Sequence, residues 1–137
     1  MDLKQYIAVS VESINALISI ENEIYEAINV CSYALKRGNT IFFIGNGGSA
    51  AEAQHLAAEF LGKFILKRKA LPACALTVDS SAVTAIANDF GYNFVFSRQL
   101  EGLAKEGDVL IGLSTSGESE NVIQAFKSAA SMGLETI

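Results

Sequence analysis

Proline occurs once in these 137 residues, at Pro72, and histidine once, at His55. Cysteine occurs twice, and charged residues make up only 18% of the chain. Each scarcity removes a class of protein. With no low-complexity stretch or long linker, nothing divides the chain. A sequence half hydrophobic and poor in charge is not disordered. Cys31 and Cys74 lie in apolar surroundings without the spacing of metal ligands, and read as two free buried thiols of a reducing compartment. No apolar run is long enough to cross a bilayer. The N-terminal MDLKQYIAVSVESINALISI has neither a basic leader nor a small-residue cleavage site, so it reads as a helix, not a signal peptide. Ten basic residues against fifteen acidic give a net charge of -5, which argues against a nucleic-acid surface. An anionic ligand would then have to be held by something other than bulk positive charge.

What is present suits one domain with a real core. Apolar residues at helical spacing (Tyr6, Ile7, Ile14, Leu17, Ile18, then Ile24, Ile28 and Leu35) predict helices over 3–20 and 21–35, with Gly38 as a stop. The first is apolar enough to expect burial against a partner subunit. The period then changes. Residues 41–44, 73–78 and 109–113 are short apolar runs of the kind found in strands covered on both faces. Helices are expected at 81–87, at 94–104 with Asn93 as cap, and at 120–132 between a Ser119 cap and Gly133; residues 88–93 read as a loop. This alternation implies an α/β fold, a parallel sheet with helices on both faces. LETI at 134–137 begins to look like a fourth strand, so the chain is expected to be C-terminally incomplete.

Two segments, IFFIGNGGSA and VLIGLSTSGES, each run from a buried strand through a glycine- and serine-rich loop into a helix. Ligands of open parallel sheets bind beyond the carboxyl ends of the strands, where both loops would lie. Ser114, Thr115, Ser116 and Ser119 place four hydroxyls around Gly117, ahead of a helix whose first N–H groups are unpaired. That is an anion site without lysine or arginine, suited to a phosphate. Gly45, Gly47 and Ala50 also match a dinucleotide fingerprint, but the nearest acid after the second strand, Asp79, stands too far along to hold a ribose. In AAEAQHLAAEF, His55 and Glu59 share one helix face at a spacing that lets imidazole and carboxylate reach a common metal ion. Glu52 shares that face as an alternative ligand or a surface charge. Two ligands do not complete a metal site, so others would come from elsewhere. The alanines Ala50, Ala53, Ala57 and Ala58 would let this helix pack closely on the sheet.

GNGGSA, AEAQHLAAEF, NDFGYNFVFSRQ and DVLIGLSTSGESENV, in that order, resemble the bacterial sedoheptulose 7-phosphate isomerases, or phosphoheptose isomerases, of the sugar isomerase (SIS) type. The similarity covers essentially the whole chain after the N-terminal helix. It implies a single SIS domain over 1–137, a three-layer α/β/α sandwich lacking its last strands, in a cytoplasmic homotetramer bound to neither nucleic acid nor membrane. The implied activity is zinc-dependent interconversion of sedoheptulose 7-phosphate with an aldose phosphate, in a bacterial heptose biosynthesis that feeds lipopolysaccharide, capsule or another glycan. The resemblance implies that Asn46, Gly47 and Gly48 contact substrate, that His55 and Glu59 bind Zn2+, and that Glu59 is also the catalytic base and a substrate contact. It implies sugar contacts at Asn88 and Asp89, and a phosphate held by Ser114, Thr115, Ser116 and Ser119. A later helix of the family supplies a glutamine and a histidine associated with zinc, so the remaining ligands are expected beyond Ile137. Lys63 stands where relatives often carry arginine. Relatives that bind the replication initiator, or that only sense a phosphosugar, are the alternatives. The initiator-binding group departs from the isomerase at Glu59, at the glycine loop and at the hydroxyl loop, whereas all three here look like the isomerase.

Overall fold

A computed structural model describes residues 2–137. Asp2 opens the first helix with a capping box. Its carboxylate accepts the Gln5 N–H at 2.9 Å, and Gln5 Oε1 accepts the Asp2 N–H at 3.0 Å. Helix α1 (Leu3–Ala16) passes through a 3-10 turn (Leu17–Ile20) into α2 (Glu21–Lys36). Gly38, at a φ of +79°, then turns the chain into the sheet, a conformation that favours glycine. Strand and helix alternate from there: β1 (Ile41–Gly45), α3 (Gly48–Leu61), β2 (Ala73–Ala75), α4 (Ser80–Phe90), a 3-10 turn (Tyr92–Phe94), α5 (Ser97–Leu103), β3 (Val109–Leu113), α6 (Glu120–Ser131) and β4 (Glu135–Thr136).

The four strands are parallel, in the order β2-β1-β3-β4. Alternate side chains of β1 feed two cores, as a strand's period of two requires. Ile41 and Phe43 join Ala34, Ala53, Ala57 and Val109 under α2 and α3. Phe42 and Ile44 join Leu76, Val95, Leu100, Leu110, Val122 and Ala125 under α5 and α6. The result is the expected three-layer α/β/α sandwich. The strand order places the site. From β1 the chain steps one way to β2, then returns to β1's other side for β3. The loops after β1 and β3 therefore leave neighbouring strands toward opposite faces and open a crevice between them, the switch point at which such sheets bind ligands.

Several elements differ from expectation. Strand β2 stops at Ala75 instead of running to residue 78, although the Leu76 N–H still donates to the Phe43 carbonyl. Asp79 caps the next helix by accepting the Ala82 N–H, and nothing stops that helix until Gly91 (φ +93°). Asn88 and Asp89 consequently lie in the last turn of α4, not in a loop. Helix α5 begins at Ser97 without a side-chain cap, so Asn93 does not cap it. Of the four alanines of α3 expected to pack on the sheet, Ala53 and Ala57 are buried, Ala50 is half-buried and Ala58 faces out. Both cysteines are free, but only half-buried. Helix α1 buries none of its residues; Tyr6 and Ile14 are exposed, as is Ile18 in the 3-10 turn that follows.

Candidate functional site

The site grows from the two strand ends. Gly45 closes β1 with no room for a side chain, since a Cβ there would stand 2.7 Å from the Ser49 carbonyl oxygen. Gly47 follows at a φ of +56° and directs the chain into α3. On the neighbouring strand, a Cβ on Gly112 would strike the Phe126 ring at 2.7 Å, so that glycine lets α6 pack close to the strand's end. Between the two loops lies an open cavity of about 820 Å³, lined by Asn46, Gly48, Ser49, Glu52, Gly112, Leu113, Ser114 and Thr115.

Three of the four hydroxyls of the loop converge, while Thr115 lines the cavity without joining their hydrogen bonds. Ser114 Oγ lies 3.4 Å from both Ser116 Oγ and Ser119 Oγ, and it accepts the Gly117 N–H at 3.1 Å. Ser116 Oγ accepts the Glu118 N–H at 3.1 Å. Gly117, at a φ of +68°, makes the turn. Ser119 departs from expectation. It occupies the cap position of α6, but its hydroxyl makes no capping bond and stays with Ser114. The first turn of α6 therefore keeps N–H groups without a side-chain acceptor, beside three clustered hydroxyls. An anion placed there meets donors and the positive end of a helix dipole.

The second part lies along α3. His55 Nε2 and Glu59 Oε1 are 3.7 Å apart on successive turns, with His55 exposed and Glu59 half-buried. They line a cavity of about 470 Å³ together with Glu52, Leu56, Phe60, Phe64 and Arg68. Glu52 lines both cavities and so joins the hydroxyl loop to the His55–Glu59 pair. The pair suits two corners of a zinc site, because ligand atoms around a tetrahedral zinc stand roughly 3.3 Å apart at bonds of about 2.0–2.1 Å. Among the described residues, no group of three or more His, Cys, Asp and Glu side chains comes together to hold a metal. Arg68 fastens the end of this helix: its guanidinium donates to the carbonyls of Glu59 and Phe60, both at 2.8 Å, and to that of Lys69 at 2.9 Å.

Two site residues, Asn121 and Tyr92, escaped the sequence reading; both meet Asn46. Asn46 and Asn121 form a reciprocal amide pair. Asn46 Nδ2 donates to Asn121 Oδ1 at 2.9 Å, and Asn121 Nδ2 donates to Asn46 Oδ1 at 2.8 Å. The Tyr92 hydroxyl donates to the same Asn46 Oδ1 at 3.0 Å. These contacts join residues 46 and 75 positions apart, and only the tertiary fold reveals them. Asn88 and Asp89 are not drawn into either cavity; both are exposed, and Asn88 Nδ2 donates to Asp89 Oδ1 at 2.8 Å. Asp79, the acid weighed for a ribose, is engaged as the α4 cap.

Known proteins resemble this chain in sequence and fold. Residues 5–137 match the SIS domain family. The phosphoheptose isomerase of Akkermansia muciniphila is 52% identical over 126 residues, 92% of this chain and 67% of that protein. The phosphoheptose isomerase of a Nitratiruptor species is 59% identical over 114 residues, 83% of this chain and 61% of that protein. The structure of the phosphoheptose isomerase GmhA from Neisseria gonorrhoeae superposes with a TM-score of 0.80 at 43% identity, covering 98% of this chain and 73% of the other. This chain thus spans about two thirds of the length of the relatives it matches.

Proposed function

This chain belongs to the SIS domain family and, within it, to the phosphoheptose isomerases, and from that premise we propose that it forms the phosphate-binding and proton-transfer parts of an aldose-ketose isomerase acting on sedoheptulose 7-phosphate. The carrying observation is that Glu52 lines both the cavity of the hydroxyl loop and that of the His55–Glu59 pair. A ligand anchored by its phosphate at Ser114, Thr115, Ser116 and Ser119 would extend its carbon chain past Asn46, Gly47 and Gly48 toward α3.

Anchoring far from the reacting carbons supplies orientation, which turns an encounter into a positioned reaction. Isomerisation then needs a base for a proton on the carbon beside the carbonyl. Glu59 is that base in this reading. It is half-buried, held on a helix whose end Arg68 fastens, and one turn from His55. A positioned carboxylate contributes roughly a hundred- to ten-thousand-fold. His55 and Glu59 would hold a Zn2+ ion, with further ligands from outside the described residues. When bound, such an ion supplies Lewis-acid polarisation of the carbonyl. Asn88 and Asp89 enter as sugar contacts through the family resemblance alone. The wider reading is a cytoplasmic homotetramer in heptose biosynthesis, and the exposed apolar side chains of α1 support the self-association.

The test is to incubate the zinc-loaded protein with sedoheptulose 7-phosphate and follow the aldose product by NMR. Glu59→Gln is expected to abolish turnover, by a hundredfold or more, while sugar-phosphate binding stays within about threefold. Turnover equal to wild type would remove Glu59 as the base.

A further inference from the structure

Asn46 lines the ligand cavity, and its amide is largely committed before any ligand arrives. A side-chain amide oxygen has two acceptor sites, and the amide nitrogen has two hydrogens. Both acceptor sites of Asn46 Oδ1 are taken, one by Asn121 Nδ2 and one by the Tyr92 hydroxyl. One Nδ2 hydrogen goes to Asn121 Oδ1. The only capacity left is the second Nδ2 hydrogen, a donor. Asn121 is 2% exposed, so its amide cannot exchange these bonds for water, and burial fixes the pair.

Resting on the sugar-phosphate reading above, we propose that Tyr92 is a positioning residue: through Asn46 Oδ1 it locks the Asn46 amide so that it serves the sugar part of the ligand as a hydrogen-bond donor only. The lock matters because, the Glu52 carboxylate apart, the other polar groups on the hydroxyl-loop side of the cavity can donate toward an anionic or carbonyl oxygen: serine hydroxyls and the mouth of α6. An Asn46 amide free to present its oxygen would set an acceptor against the ligand's own acceptors. Tyr92 removes that alternative. It reaches Asn46 from the turn after α4, outside both loops, and its hydroxyl is the only part of the side chain that makes this bond. The same network ties the loop after β1 to the first turn of α6, so the sugar-facing and phosphate-facing halves keep a fixed separation.

The experiment is calorimetric titration of the purified protein and of Tyr92→Phe with sedoheptulose 7-phosphate and, separately, with inorganic phosphate. Thermal melts of both proteins serve as a check on folding. Tyr92→Phe is expected to bind the sugar phosphate about three- to tenfold more weakly, the range of one hydrogen bond. Inorganic phosphate should stay within twofold, so the ratio between the two ligands falls. A Tyr92→Phe protein that keeps the wild-type ratio, or loses both ligands equally, overturns the positioning role alone. A wild-type protein that binds the sugar phosphate no more tightly than inorganic phosphate overturns the sugar-phosphate reading and this inference with it. A purely structural role for Tyr92 would lower the melting temperature without changing the ratio.

Discussion

Ser114 touches more of its loop than any neighbour, meeting Ser116 and Ser119 through its hydroxyl and accepting the Gly117 N–H. The other two serines point their hydroxyls into the same small volume, so they should act as a set. Ser116→Ala combined with Ser119→Ala is expected to weaken a phosphorylated sugar about a hundredfold or more, as for two charge-assisted hydrogen bonds lost. The unphosphorylated sugar should change by less than twofold in the same calorimetric titration, and an equal loss for both would remove the phosphate role. These serines were legible in the sequence because hydroxyls and a glycine between a strand and a helix have few other reasons to cluster. Tyr92 and Asn121 were not legible. Tyrosine in a turn and asparagine in a helix's first turn are common, and their meaning comes from a third residue far away in the chain. The cysteines were half legible. They are unpaired as expected, and burial pushes both thiols above their ordinary range, yet neither is fully enclosed.

At the level of elements, the alternation of strands and helices could be read from apolar runs and glycine stops, while the ends were less certain. Helix α4 outran its expected end by three residues, because asparagine and aspartate only mildly disfavour a helix and the true stop is Gly91. Strand β2 fell short because only Ala73, Cys74 and Ala75 pair in register with β1. A less visible tie holds the start of the central strands. Asp108 is 1% exposed, and its carboxylate accepts the Thr40 N–H at 2.8 Å, the Lys105 N–H at 2.9 Å and Asn39 Nδ2 at 3.1 Å. One side chain thus binds the lead-in of β1 to that of β3. Asp108→Ala would remove the acceptor of one buried and two part-buried donors, and we expect a loss of about 2–3 kcal/mol in urea unfolding. A loss under about 1 kcal/mol would mean that water replaces the carboxylate. Sequence reading had no access to this tie, since an aspartate after a glycine looks like an ordinary turn residue.

Taken whole, the molecule is an acidic protein for which we propose an anion site, and strand order resolves the apparent conflict. The switch between β1 and β3 brings two loops and a helix mouth together, so backbone dipoles serve where cationic side chains are scarce. The three-layer arrangement was legible because both cores follow from strand periodicity. The crevice followed only once strand order was known. Helix α1 stands apart from both cores, with no buried residue along its fourteen. A helix of that length held only by its own backbone is marginal in water. In dilute solution its amide hydrogens should therefore exchange with deuterium within seconds, while those of β1 hold out until the domain opens as a whole. Raising the protein concentration should slow exchange in α1 and leave β1 unchanged if subunits associate through this helix, and a concentration-independent rate would count against that assembly. The first stretch of the chain is, in that sense, a built-in gauge of whether the molecule is alone.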